Sequence, residues 1–140
     1  MTTRADRFTQ LQKVPDLFSD FLSDLTPHPI TKDLTRLRND TAIRQSIKNL
    51  VLTNYNERLF QPNIGSNVNR SLFEPNDAFM EDELESSIRR TIEFNEPRAS
   101  VLRVEVIPQS NGSTIGINII FSIINSMQPQ SLDIILRRVR

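Results

Sequence analysis

Apolar and polar residues alternate with a period of two over the stretch VLRVEVIP. Leu102, Val104 and Val106 fall on one side of this stretch, and the charged residues Arg103 and Glu105 fall on the other. Such an alternation predicts a strand with one buried face and one solvated face.

Two further stretches with the same period follow. The first, TIGINIIFSII, comes after an Asn-Gly pair, which is a strong signal for a hairpin turn, and the second is LDIILRRVR. Gly116 inside the first stretch is expected to mark a bulge or a close backbone approach. The pattern predicts a meander of three antiparallel strands whose last strand lies at a sheet edge. The residues expected on the buried face of the last two strands are Ile115, Ile117, Ile119, Phe121, Ile123, Leu132, Ile134 and Leu136.

Earlier in the chain, the apolar spacing fits helices instead. One helix is expected to be capped by Asp40 or Thr41 and to fade near Thr53; a second is expected to be capped by Asn76 or Asp77. The second helix should stop before Pro97, because the residue that precedes a proline is pushed out of the helical region. The apolar stripes of the two helices are Ile43, Ile47, Leu50 and Val51 in the first, and Met80, Leu84, Ile88 and Ile92 in the second.

The N-terminal part has a helical spacing of its own. Phe18, Phe21, Leu22 and Leu25 predict a helix that ends at the prolines of TPHPI. We therefore divide the chain into an extension with one helix, residues 1–31, and a main domain, residues 32–140. Helices followed by a run of strands predict an α+β fold, in which the helices pack on a small antiparallel sheet.

The stretch between the two main helices has no clear period. Asn56 and Gly65 are residue types that accept positive φ, so both are expected to mark turns. Phe60 and Phe73 each stand two residues before a proline. We interpret both phenylalanines as plugging the core of the domain from a long loop; the alternative is that part of this loop lies against a partner.

Composition removes several classes of function. The chain has 17 basic and 17 acidic residues, so its formal net charge is zero and nothing points to nucleic acid or an acidic membrane. It has no cysteine and one histidine, which argues against a disulfide, a zinc site or a catalytic dyad, and no cofactor is expected. No signal peptide or membrane span is apparent, and the expected place of assembly is a cytoplasm.

Glu96, Pro97 and Arg98 stand at the predicted junction of helix and strand. From the residue types alone, the corner is a helix stop with two solvated charges, a rigid docking surface, or a catalytic acid with a helper residue. A catalytic acid of this kind needs a second carboxylate across a cleft and a raised pKa. Arg98 is close enough in sequence to hold Glu96 ionised, which disfavours that chemistry. The other candidate carboxylates are Glu57, Glu74 and Asp77.

Several motifs in order resemble the contractile-tail baseplate wedge family. They are AIRQSIKNLVLTNYNERLFQPNIGS, then LFEP, then NEPR at the corner, then VEVIP and a hairpin, and together they span roughly residues 32–138. The family includes the small wedge protein of myovirus baseplates, which carries an old lysozyme-like label, and a type VI secretion baseplate subunit. One departure is Asn56, which stands where the family usually has glycine.

The resemblance implies a structural role in the inner baseplate of a phage tail, assembled in the host cytoplasm. Such a subunit joins the wedge core to the first ring of the sheath and serves as the template for sheath assembly. The implied partners are the other wedge subunits, the tail sheath protein, and tube or hub proteins, without nucleic acid or membrane. Glu96, Pro97 and Arg98 would dock on wedge subunits. The last strand, which ends in Arg137 and Arg138, would accept a sheath strand at its edge, where the alternative is a solubilising edge. The alternative function is a lysozyme-like cell-wall hydrolase of the baseplate.

Overall fold

A computed structural model of the protein describes residues 17–73, 78–108, 114–124, 126 and 128–137. The strands form two sheets, one of two strands and one of three, and three helices accompany them in the described residues. The predicted α+β class is therefore confirmed. The elements in chain order are β1 (Ser19–Phe21), β2 (Arg36–Arg38), α1 (Asp40–Leu52), α2 (Val68–Ser71), α3 (Ala78–Asn95), β3 (Ala99–Pro108), β4 (Thr114–Ile123) and β5 (Gln130–Arg137).

The larger sheet is the predicted meander. Its strand order is β3-β4-β5, with both pairings antiparallel. Every residue predicted for the buried face of β4 and β5 is buried, and these side chains form one core with the stripe of α3 and with Ile43, Ile47 and Val51 of α1. Leu50, also predicted for the α1 stripe, is only partly buried and lies outside this core. The packed stripe of α3 is Met80, Leu84, Ile88 and Ile92, as predicted. The helices thus pack on the face of the sheet that carries the buried side chains, whereas most of the described side chains on the opposite face of β4 and β5 are partly buried or exposed.

A bulge in β3 changes which face its side chains share. The pairing passes from Val101 opposite Phe121 directly to Arg103 opposite Ile120, so Leu102 is the extra residue. Leu102 is 54% exposed, whereas Val104 is 2% exposed. The prediction that Leu102 is buried is therefore wrong, because simple alternation fails across an inserted residue. Gly116, where an irregularity was expected, pairs in register with Ile107 and Ile135 and shows no close approach.

The predicted helix over Phe18–Leu25 is wrong. This stretch contains strand β1, which pairs antiparallel with β2. The side-chain oxygen of Asn39 accepts hydrogen bonds from the backbone N–H groups of Leu17 and Phe18, at 2.9 and 3.3 Å. Gln45 on α1 binds both the N–H of Ser23 and the carbonyl of Phe21. These distant partners satisfy backbone groups that a helix would pair locally.

The proposed boundary between residues 31 and 32 stays a prediction, and β1 and β2 pair across it. Helix α1 begins at Asp40, with Asn39 at the N-cap position at a positive φ of 48°. The cap thus lies one residue earlier than the first predicted candidate. Asn76 and Asp77, the predicted caps of the later helix, lie outside the described residues. That helix ends at Asn95, as Pro97 predicts.

The residues between α1 and α2 form a loop, residues 54–66, closed by a bridge between Asn54 and Ser66. The φ angles of Asn56 and Gly65 are 66° and 137°, so both predicted turns with positive φ are confirmed. The interpretation of Phe60 and Phe73 as core residues is wrong, because their exposures are 95% and 62%. The core is already filled by side chains of α1, α2, α3 and the sheet.

Candidate functional site

The turn between α3 and β3 places Glu96, Pro97 and Arg98 together in one rigid corner. The N–H of Glu96 closes the last helical turn on the carbonyl of Ile92, and the N–H of Ala99 bonds back to the carbonyl of Glu96. The carbonyl of Arg98 accepts a hydrogen bond from the N–H of Ile124 at 3.1 Å. The corner is therefore fixed to the helix on one side and to the end of the sheet on the other.

The carboxylate of Glu96 points inward. Glu96 is 2% exposed, and its two oxygens accept hydrogen bonds from Nε and Nη2 of Arg98 at 2.5 and 2.6 Å. Ser46 on α1 donates a third hydrogen bond, of 2.6 Å. A bidentate arginine and a hydroxyl give a buried carboxylate the partners that it needs.

These partners decide the charge of Glu96. Burial alone raises the pKa of Glu96, but the hydrogen bonds from Arg98 and Ser46 and the positive charge of Arg98 outweigh burial, so the pKa lies below its ordinary value of 4.5. The carboxyl group is therefore ionised at neutral pH, as the sequence analysis expected from the neighbouring arginine.

Arg98 and Pro97 reach solvent, in contrast to the buried Glu96. The side chain of Arg98 is 39% exposed, and its guanidinium lies over the ring of Phe18, 5.3 Å from the ring centroid. Asp20 in β1 adds to the negative charge near Arg98. Two residues of the site, Ser46 and Phe18, are signalled by no local pattern in the sequence, because both reach the corner only through tertiary packing.

A cleft of about 400 Å³ opens beside the corner. It lies between α1, the 54–66 loop and the corner itself. Its lining is mostly polar and includes Ser46 and Asn49 of α1, Arg58 and Ile64 of the loop, and Pro97 and Arg98. The corner and the loop thus border one continuous depression.

The predicted basic strand end lies at the opposite end of the sheet from the corner. Ala99, next to the corner, pairs with Ile123, whereas Arg137 pairs with Thr114 at the other end of β4. Since a strand rises about 3.3 Å per residue, roughly 25 to 30 Å separate the two ends. Arg137 is exposed, and Arg138 lies outside the described residues. In the described part of the chain, β5 pairs with β4 alone, so its outer side is an open edge.

Among the described residues, no group of three or more histidine, aspartate or glutamate side chains is arranged to hold a metal ion. Over the same part of the chain, no helix has the length and apolar character that crossing a membrane requires.

Comparison with known proteins gives a consistent result. The sequence pattern of the family described as "Baseplate wedge protein gp25" matches residues 37–128. The baseplate wedge protein gp25 of Enterobacteria phage T4 is 30% identical over 95 residues, which cover 68% of this chain and 72% of that protein.

Solved structures share the fold. A putative tail lysozyme from Geobacter sulfurreducens superposes with a TM-score of 0.67 at 19% identity, covering 74% of this chain and 96% of that one. A chain of the anti-feeding prophage baseplate superposes with a TM-score of 0.61 at 16% identity, covering 88% of this chain and 87% of that one. A chain of the post-contraction pyocin R2 baseplate superposes with a TM-score of 0.52 at 16% identity, covering 81% of this chain and 97% of that one. At these identities the likeness shows the fold alone.

The family match covers most of the chain, and the T4 relative, which covers 68% of the chain, agrees with it. The resemblance drawn from the sequence motifs is thereby confirmed. The chain belongs to the baseplate wedge protein gp25 family and is a structural component of a contractile-tail baseplate.

Proposed function

We propose that this subunit joins the wedge core of the baseplate to the first ring of the sheath, and that sheath assembly begins on its sheet. The observation that carries the proposal is the placement of the corner and of the open end of β5 at opposite ends of one sheet. Two partners can then bind the same subunit at once without competing for one surface.

The corner is the proposed contact with the wedge subunits. Pro97 and the bonds of Glu96 hold the Arg98 side chain in place, so little conformational entropy remains to be lost on binding. A guanidinium that is already positioned and partly exposed is well suited to recognise a carboxylate or a carbonyl on a partner. In this arrangement Glu96 acts from inside, by orienting Arg98, and Arg98 and Pro97 make the contact.

The edge of β5 is the proposed contact with the sheath. An added strand would form backbone hydrogen bonds along β5, and the alternation of its side chains would fix the register. The exposed Arg137, followed in sequence by Arg138, would attract a partner strand with acidic residues and discourage accidental pairing by other strands.

A catalytic role is disfavoured by the state of the candidate carboxylates. A general acid must hold its proton near neutral pH, whereas the pKa of Glu96 is lowered. Glu57 accepts a hydrogen bond from the N–H of Asn54, which gives it a local structural role. Glu74 and Asp77 lie outside the described residues. We therefore propose that the subunit is not a hydrolase; muralytic activity of the purified protein that is lost on changing a carboxylate would contradict this.

The test is a pull-down of the purified chain with the other wedge subunits and, separately, with the sheath protein of the same particle. Arg98→Gln removes the charge but retains a hydrogen-bond donor for Glu96, so it disturbs the fold less than a charge reversal. Arg90→Gln, at an exposed position of α3, is the matched control. We expect Arg98→Gln to abolish capture of the wedge subunits but not of the sheath protein. The control should capture both.

A charge change at the other surface completes the design. Arg137→Glu combined with Arg138→Glu should weaken capture of the sheath protein and leave capture of wedge subunits unchanged. If every variant captured both partners as well as the wild-type chain does, the corner would be only a helix stop and the strand end only a solubilising edge.

A further inference from the structure

The 54–66 loop has an internal framework of hydrogen bonds. Across the loop, the N–H of Asn56 bonds to the carbonyl of Pro62 at 2.9 Å. At its base, the N–H of Ser66 bonds to the carbonyl of Thr53 at 2.8 Å, and the hydroxyl of Ser66 bonds to the carbonyl of Val51 at 2.5 Å. A compact loop with close ends and this much internal bonding is an Ω-type loop.

Helix α3 holds the base of the loop from the other side. The hydroxyl of Thr91 donates a hydrogen bond to the carbonyl of Gly65 at 2.9 Å and lies 3.5 Å from the hydroxyl of Tyr55. Gly65 approaches the backbone so closely that an added Cβ would lie 2.6 Å from the carbonyl oxygen of Thr53. The backbone path of the loop is therefore set by its own contacts and by α3.

This framework presents two large apolar side chains to solvent. Leu59 is 92% exposed and Phe60 is 95% exposed, the two highest values among the exposed large apolar residues of the described chain. A flexible polar tip would serve a connecting loop equally well. Neighbouring apolar side chains held outward on an ordered loop are instead the arrangement expected of an anchor that a partner buries.

Arg58 connects this tip to the corner. It directly precedes Leu59, and it lines the same cleft as Pro97 and Arg98. A partner that covers the corner and fills the cleft therefore meets the loop as well. Among the described residues, Arg58 donates to the side chain of Gln61 over a long distance of 3.4 Å, so its charge remains available to a carboxylate.

We infer that Leu59 and Phe60 form a second anchor for the wedge partner that docks on Arg98. This inference rests on the proposed docking role of the corner. The partner surface has a distinct chemistry: an apolar socket that takes a leucine and a phenylalanine, with an acidic side chain at its rim facing Arg58. Because the loop is already ordered, insertion of the two side chains costs little backbone entropy.

The test compares the affinity of the full chain for the purified wedge subunits of the same baseplate. The variant is Leu59→Ser combined with Phe60→Ser. Phe79→Ser is the matched control, because Phe79 is 76% exposed and lies at the far end of α3, about 25 Å from the corner at 1.5 Å per helical residue. We expect Kd to rise about 10- to 100-fold for the loop variant, as for a central anchor pair, and to change less than about twofold for the control.

Thermal unfolding of each variant separates binding from folding, and the midpoints should match because both side chains are outside the core. As an independent readout, a photoreactive benzoylphenylalanine at position 60 of the otherwise unchanged chain should crosslink to a wedge subunit. The inference is overturned if the loop variant binds like the wild-type chain, or if the crosslink forms with the sheath protein. It is also overturned if the wild-type chain dimerises in sedimentation and the variant does not, since the occupant would then be a second copy.

Arg98→Gln, measured in parallel, distinguishes the two proposals. If Arg98→Gln lost binding and the loop variant did not, the corner would remain a docking surface and the loop would not be part of it. If both variants bound the wedge subunits as tightly as the wild-type chain, the proposed docking roles of the corner and of the loop would both be contradicted.

Discussion

Ser46 of α1 donates a hydrogen bond of 2.6 Å to the carboxylate of Glu96, which lies 50 residues further along the chain. This bond fixes the corner to α1 as well as to α3 and β3. The same carboxylate holds Arg98, so one buried group sets both the packing of the helices and the position of the exposed guanidinium.

Removing this carboxylate should destabilise the fold. Glu96→Ala leaves Ser46 and Arg98 without their shared acceptor, and hydrogen bonds to a charged group contribute about 1.5–3 kcal/mol. We expect the free energy of unfolding to fall by about 2–3 kcal/mol, because Arg98 is partly exposed and water replaces some of what it loses. Denaturant unfolding measures the change. Glu93→Ala, at an exposed position of α3, should stay within about 0.5 kcal/mol, and an equal loss in both variants would contradict the argument.

The lowered pKa of Glu96 predicts a pH dependence of stability. In the folded state the carboxyl group releases its proton more readily than in the unfolded chain, so its stabilisation is complete above the ordinary pKa of 4.5. That stabilisation is lost as the pH falls through the lower pKa of the folded state. The difference in unfolding free energy between the wild-type chain and Glu96→Gln should therefore shrink between pH 7 and pH 3. A difference that stays constant over this range would show that Glu96 keeps an ordinary pKa.

Gly65 should not tolerate a side chain. Its φ of 137° is a conformation that other residues rarely adopt, and a Cβ would lie 2.6 Å from the carbonyl oxygen of Thr53. We expect Gly65→Ala to lower the free energy of unfolding by more than about 2 kcal/mol. Gly116→Ala is the control, because a Cβ there would meet no atom closer than 3.6 Å, and it should be neutral or slightly stabilising. Equal effects at the two glycines would mean that the loop adjusts freely.

The bulge in β3 makes a prediction opposite to that of simple alternation. Val104→Ala should cost about 2 kcal/mol, since it removes buried methyl groups from the core. Leu102→Ala removes more apolar volume, yet it should cost less than about 1 kcal/mol because Leu102 is 54% exposed. Chemical denaturation of the two variants is the measurement. If Leu102→Ala lowered the free energy of unfolding more than Val104→Ala does, Leu102 would lie in the core and the bulge would be contradicted.

The core of the fold follows from periodicity in the sequence. The stripe from Met80 to Ile92 and the alternation in β4 are repeated signals, and each concerns residues that pack on one continuous interior. Pro97 also predicts the end of α3, because its effect on the preceding residue is local. The family motifs locate the corner, although they carry no information on which of its charges is buried.

Each error concerns a feature that no local pattern in the sequence records. Phe18, Leu22 and Leu25 fit a helical spacing, yet Asn39 and Gln45 supply hydrogen bonds that favour an extended chain. One inserted residue at Leu102 reverses the face of a strand that otherwise alternates regularly. Phe60 is apolar in a loop, and the sequence alone does not distinguish a core plug from an anchor for a partner.

The placement of the corner and the strand end at opposite ends of the sheet also has a mechanical consequence for the proposed role. A pull between wedge and sheath would run from the start of β3 to the end of β5, along the strands. Strands pulled lengthwise past each other must break many ladder hydrogen bonds together, whereas strands peeled apart break them one at a time. In the proposed role the subunit would therefore carry load in shear, the direction in which a small sheet resists most strongly.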